Sequence, residues 1–296
     1  MEITEAMRAS FPLIQGGDFD LYFGHMPWQI GLKSTYPNSL KRKLAAVAAS
    51  EFLGIRSIDY VLKNYLADVN YPEEDGSRLD RRIRSFVSGR MSELDAAIRY
   101  VACDPDKPVC MFVSEWTLSR APFSMELLTY CGQRGALFEA LAIARMMLEQ
   151  LAWSYVVNAN LDEKAIHNVS ASRAVTSFKA NFSFSGRLYG WLSSHIHWTV
   201  DGHKKSMVSR GKETGHLYGS PYFKAMIFTV MILLSKGYLD VIWSLYQDKL
   251  EHAQPGQVKP YDKILMASEC TAFFSEIAEC SGHDVELGLL ASMLTE

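Results

Sequence analysis

What this chain lacks narrows it first. Ten prolines and nineteen glycines in 296 residues rule out a collagen-like repeat or a Gly/Pro-rich linker. The five cysteines, Cys103, Cys110, Cys131, Cys270 and Cys280, form no CxxC and fit no zinc spacing. They read as thiols in a reducing compartment, so the expected location is the cytoplasm and no metal is expected. There is no G-x-x-x-x-G-K-[ST], no G-x-G-x-x-G and no G-x-S-x-G, so nucleotide-loop and hydrolase chemistries find no support and no cofactor is expected. An excess of charge is also missing. The net charge is −3, and a nucleic-acid role needs a local basic patch instead. The strongest apolar run, AMIFTVMILLS at 225–235, lies between Lys224 and Lys236 and falls short of the ~20 residues of a spanning helix. It predicts a buried core helix and no membrane partner. The opening MEITEAMRASFPLIQGG lacks a basic stretch followed by an apolar one, unlike a secretory signal.

What remains is helical periodicity. Apolar residues make up 48% of the chain, ordinary for a globular protein. The first 40 residues, with QGGDFDLYFGHMPWQ, predict loops and turns. From Ser39, Leu40, Leu44, Val47, Phe52, Ile55, Ile58 and Leu62 recur at threes and fours, with Gly54 marking a break between two helices. Ser77 with Asp80 reads as a capping box for a helix over 78–102. Its apolar stripe runs from Leu79 to Val101, and its other face, with Arg78, Arg81, Arg82, Arg84 and Arg90, predicts contact with solvent. The run GALFEALAIARMMLEQLAWSYVVNAN predicts a long central helix, and DEKAIHNVSASRAVTSFKANF a further one. After a helix through RLYGWLSSHIHW, residues 199–221 read as a long loop. Helices over about 221–252, 261–280 and 282–295 complete the chain, and no strand is expected. The fold class expected is all-α. A boundary near 104–108 divides an N-terminal helical region, 1–108, from a helical bundle, 109–296, unless it is a loop inside one domain.

Two stretches carry chemistry. On a helix advancing 100° per residue, Tyr189, Ser193 and His197 share one face, and Arg187, Trp191 and His195 share another. His195 and His197 lie about 200° apart, so they cannot ligate one metal from a regular helix. On the central helix Arg145 and Glu149 stand at i and i+4 and can pair. So apolar a helix turns such a pair toward a neighbour, where the Tyr189 row could meet it.

Taken together, R-x-x-x-E in RMMLE and Y-x-x-L-S-x-x-x-H in YGWLSSHIH resemble the signature of a family of bacterial helical proteins related to HEPN domains. The resemblance covers roughly residues 130–235. It implies a small helical bundle, and many HEPN proteins are metal-independent ribonucleases, toxins or antiviral effectors that dimerise over their active site. The chain departs from the R-x4–6-H of catalytic HEPN proteins, because Arg187 precedes His195 by eight residues and His197 by ten.

The resemblance implies RNA as partner, with a second copy of the chain or another protein as further candidates. For RNA cleavage, neutral His197 or His195 would take the 2′-hydroxyl proton. Arg187 or Arg145 would stabilise the phosphorane charge, Tyr189 and Ser193 would hold a phosphate, and Glu149 would orient the base or the arginine. Lys204, Lys205, Arg210 and Lys212, in the segment after the motif, would contact nucleic acid. The competing reading makes Arg145, Glu149, Tyr189 and His197 a satisfied polar network tying two core helices together, in a non-enzymatic module that binds a protein or a nucleotide.

Overall fold

A computed structural model describes residues 21–23, 30–32, 36–67, 69, 75–102, 106–134, 136–159, 162–196, 207–210, 213–216, 221–281 and 285–294. The protein is all-α, as its periodicity predicts. The chain divides into two compact units, Met1–Arg84 and Ser85–Glu296.

The first unit holds an antiparallel hairpin, β1 (Leu21–Phe23) with β2 (Ile30–Leu32), where the sequence suggested only loops and turns. Helix α1 (Asn38–Leu53) ends at Gly54, whose φ of +66° puts it in the left-handed region that favours glycine. Helix α2 (Ile58–Tyr65) begins at Ser57, whose hydroxyl accepts from the Tyr60 N–H. The buried face of α1 is not the expected stripe. Lys41, Ala45 and Ala46 are buried, whereas Leu40 and Val47 are exposed.

Helix α3 (Asp75–Ala102) runs across the division between the units. It begins before Ser77, which therefore lies inside the helix and not at a cap. Val87, Met91, Leu94, Ile98 and Val101 are buried, as their spacing predicts. The arginine face is not uniformly solvated, because Arg84 is buried and Arg90 half-buried.

The second unit is organised around one helix. Helices α4 (Val109–Leu118), α5 (Ala121–Arg134) and α6 (Leu137–Asn158) follow in quick succession. Two helices, α7 (Glu163–Ile166) and α8 (Ala171–Phe178), replace the single one expected over 162–182. The division follows from two caps: Asp162 accepts from the Lys164 N–H, and Ser170 from the Arg173 N–H. Helix α9 (Ser183–Ile196) carries the motif. The segment read as a loop contains a hairpin, β3 (Met207–Arg210) with β4 (Glu213–His216), in which Arg210 opposes Glu213 across a two-residue connection. Neither MVSR nor ETGH alternates apolar and polar residues, so periodicity gives no strand signal there. Helices α10 (Pro221–Glu251), α11 (Lys263–Ser281) and α12 (Val285–Ser292) close the chain.

Helix α6 packs against α4, α5, α8, α9 and α10. Its residues Leu137, Leu141, Met147, Leu148 and Leu151 are buried, as the apolar run predicts. Helix α10 is the one helix among the described residues long and apolar enough to cross a membrane, and 94% of its most apolar window is buried inside the structure. It is thus a core helix, though longer than its eleven most apolar residues suggest. Two glycines let helices approach closely. A Cβ at Gly237 would stand 2.9 Å from the Phe184 ring, and one at Gly132 would stand 3.0 Å from Ile227 Cγ2. The Tyr238 hydroxyl, fully buried, donates to the Met147 carbonyl at 2.9 Å, tying α10 to α6.

Candidate functional site

The two motif stretches meet where α9 crosses α6. Arg145 and Glu149 sit one turn apart on α6, and Arg145 Nε donates to Glu149 Oε1 at 3.1 Å. From α9, the Tyr189 hydroxyl accepts from an Arg145 terminal N–H at 2.8 Å and donates to the same Glu149 oxygen at 3.1 Å. The guanidinium lies over the Tyr189 ring, 4.9 Å from its centre. The result is a closed triangle. Its ionic side chains are partly open to solvent, at 23% exposure for Arg145 and 27% for Glu149. Burial disfavours the charged guanidinium, but the bond to Tyr189 and the carboxylate of Glu149 outweigh it and raise the Arg145 pKa above its ordinary value. Arg145 therefore stays a cation whose charge is matched locally.

The other candidates among the described residues do not join the triangle. Ser193, on the same row, turns back and donates to the Tyr189 carbonyl at 2.7 Å. The second row faces different partners. Exposed Arg187 donates to the Ser292 hydroxyl of α12. Buried His195 places Nδ1 2.8 Å from the Trp191 carbonyl and Nε2 3.3 Å from a Glu286 carboxylate oxygen, with its ring 4.2 Å from that of Trp191. The Tyr222 hydroxyl of α10 donates to the same Glu286 oxygen at 3.3 Å. His195 therefore belongs to a junction of α9, α10 and α12. His197, Lys204, Lys205 and Lys212 lie outside the described residues, and Arg210 is the last residue of β3.

Spacing does not point to Glu286 as the partner of His195, 91 residues away, or to Tyr222 as a partner of Glu286, 64 residues away. A second charged group is assembled by packing. Arg90, Glu93, Lys259, Tyr261 and Glu269 line one cleft between α3, α10 and α11. Its sequence signals are the i,i+3 pair Arg90–Glu93 and, beside it, the i,i+4 pair Lys236–Asp240, whose Asp240 accepts from Tyr261. Among the described residues, no group of three or more His, Cys, Asp or Glu side chains could hold a metal ion.

Fold and site together define an all-α protein that gathers polar side chains where other helices cross its central one. No known family, no curated protein and no solved structure matches the chain.

Proposed function

We propose that this protein is a HEPN-like helical module that acts by binding a protein partner or a nucleotide, with Arg145, Glu149 and Tyr189 as its fixed frame and not its reacting groups. The observation that carries this reading is the closed triangle. The three side chains spend hydrogen bonds on one another, and the arginine charge that a phosphorane would need already faces a carboxylate. The surroundings of His195 support it too, since a buried imidazole between a carbonyl and a carboxylate is poorly placed to meet a substrate.

A second reading rests on the partial exposure of Arg145 and Glu149. In it the protein is a metal-independent ribonuclease of a toxin or phage-defence system. His197, four residues beyond Ser193 in the sequence, is then the base, and Arg145 the group that stabilises developing charge.

One experiment separates the two: incubation of the purified full chain with RNA in EDTA, beside His197→Ala, His195→Ala and Tyr189→Phe. The binding reading expects no cleavage by the wild type. It also expects Tyr189→Phe to lower the melting temperature by roughly 2–6 °C, because Arg145 and Glu149 lose their shared partner. Cleavage that His197→Ala abolishes, with helicity intact by circular dichroism, overturns it and establishes the nuclease.

A further inference from the structure

One cavity of the second unit lies apart from the motif residues, between α4, α6 and α7. It holds about 390 Å³ and is half-open to solvent, which admits a small organic molecule. Its apolar walls come from Val109 and Val113 of α4, Trp153 of α6, Ile166 of α7 and Val169 of the connector to α8. A packed cluster backs them. Ile166 is buried with Cys110 and Val157, and Trp153 and Val169 lie against that cluster. The Trp153 indole N–H donates to the Val169 carbonyl at 3.0 Å. That bond ties the connector to α6 and leaves the indole no donor to offer, so the wall it presents is apolar.

Two polar side chains complete the lining. Glu163 and His167 stand four residues apart and are exposed, and neither side chain has a hydrogen-bond or ionic partner among the described residues. Asp162 and Lys164, the neighbouring charges, do not line the cavity. The space therefore carries one carboxylate and one imidazole beside an apolar wall. A carboxylate only accepts, and an imidazole without its second proton offers a ring nitrogen as acceptor. An anionic ligand would face Glu163 as a like charge. An ammonium would meet two acceptors, and an indole that attracts cations across its ring. A cation with no apolar body would leave the walls wet, so the ligand needs both parts.

We infer that this cavity binds a small hydrophobic amine, an aryl or alkyl body that carries a primary ammonium. The body lies against Val113, Trp153, Ile166 and Val169, and the ammonium donates to Glu163 and His167. The inference does not rest on the proposed function, because no residue of the Arg145 triangle lines this cavity.

The test titrates the full chain at pH 8 and follows the indole N–H resonance of Trp153, assigned by its loss in Trp153→Phe. The probe is phenylbutylamine. Phenylbutanol keeps the body without the charge, phenylbutyrate reverses the charge, and propylamine keeps the ammonium without the body. Phenylbutylamine is expected to shift the resonance saturably and phenylbutanol to bind roughly threefold more weakly, with no response to the other two. Glu163→Gln, at an exposed position, leaves the fold intact. It should weaken phenylbutylamine binding roughly threefold and leave phenylbutanol binding unchanged. No saturable shift from phenylbutylamine at tens of millimolar, equal or tighter binding of phenylbutanol or phenylbutyrate, or undiminished binding by Glu163→Gln overturns the inference. A last arm uses N-acetyl-lysine methylamide, which carries the ammonium on a protein's own stem. If it binds more tightly than phenylbutylamine, the cavity belongs to a lysine of a protein partner and the inference is overturned.

Discussion

Two partly buried arginines of this protein keep different company. Arg145 spends its N–H groups on Glu149 and Tyr189 in a triangle that closes on itself. Arg90 bonds Glu93, faces Glu269 at 3.9 Å and leaves a buried Nε unbonded. The difference follows from how each carboxylate is delivered. Glu149 is four residues from Arg145 on the same helix, so local geometry brings it within reach. Glu269 comes from α11, so its distance is set by how three helices and a connector pack. A pair fixed by its own helix closes, and a pair fixed by packing can be held apart. Held apart, it leaves hydrogen-bonding capacity unused.

The comparison can be tested at its extreme, where a charge pair is sealed. Lys107 bonds the Glu115 carboxylate, at 8% and 4% exposure. Glu115→Ala leaves the buried ammonium without a counter-charge, although it keeps its bond to the Ala102 carbonyl, and equilibrium urea unfolding should show a loss of about 3–5 kcal/mol. A loss under 1 kcal/mol would mean that water reaches the site. Next in size is the contrast between the arginines themselves. Lysine lacks the rigid fork that meets Glu149 through Nε and Tyr189 through a terminal N–H and the flat guanidinium over the Tyr189 ring, so Arg145→Lys should cost about 1–2 kcal/mol. Arg90→Lys keeps its charge beside Glu93 and should cost under about 1 kcal/mol. If the second substitution costs more than the first, the distinction between closed and open clusters fails. The smallest effect is chemical. Burial, with the charges of Glu269 and Asp240 adding to it, pushes the Cys270 thiol up to about 12 against the pull of Lys236 and Arg90. Cys270 should therefore resist iodoacetamide at pH 8 in the folded protein and react once the chain is unfolded, which peptide mass spectrometry would read. Rapid modification of the folded protein would show that the cleft opens as far as the thiol.

Much of the helical architecture was legible because period-3.6 apolar spacing states both that a helix forms and which side it buries. That held for α3 beyond Ser85 and for α6. It misled at α1, where alanines and Lys41 are buried instead of the larger apolar residues. It passed over the caps at Asp162 and Ser170 and the short hairpin at 207–216. The meeting of Arg145, Glu149 and Tyr189 could be anticipated, because two facing helices need only present complementary rows. The partners of His195 and Arg90 could not, since Glu286 and Glu269 arrive from distant helices that share no spacing with them.

The bond from Tyr238 to Met147 joins residues 91 positions apart. Its consequence lies in the order of synthesis. Helix α6 leaves the ribosome apolar on most sides, while the helix that covers it is still untranslated. At ordinary elongation rates the interval is roughly 5–20 s. At its start α4 and α5 are the packing partners already made, α8 and α9 follow within it, and the surface that α10 covers stays open throughout to chaperones, or to the α6 of a neighbouring nascent chain.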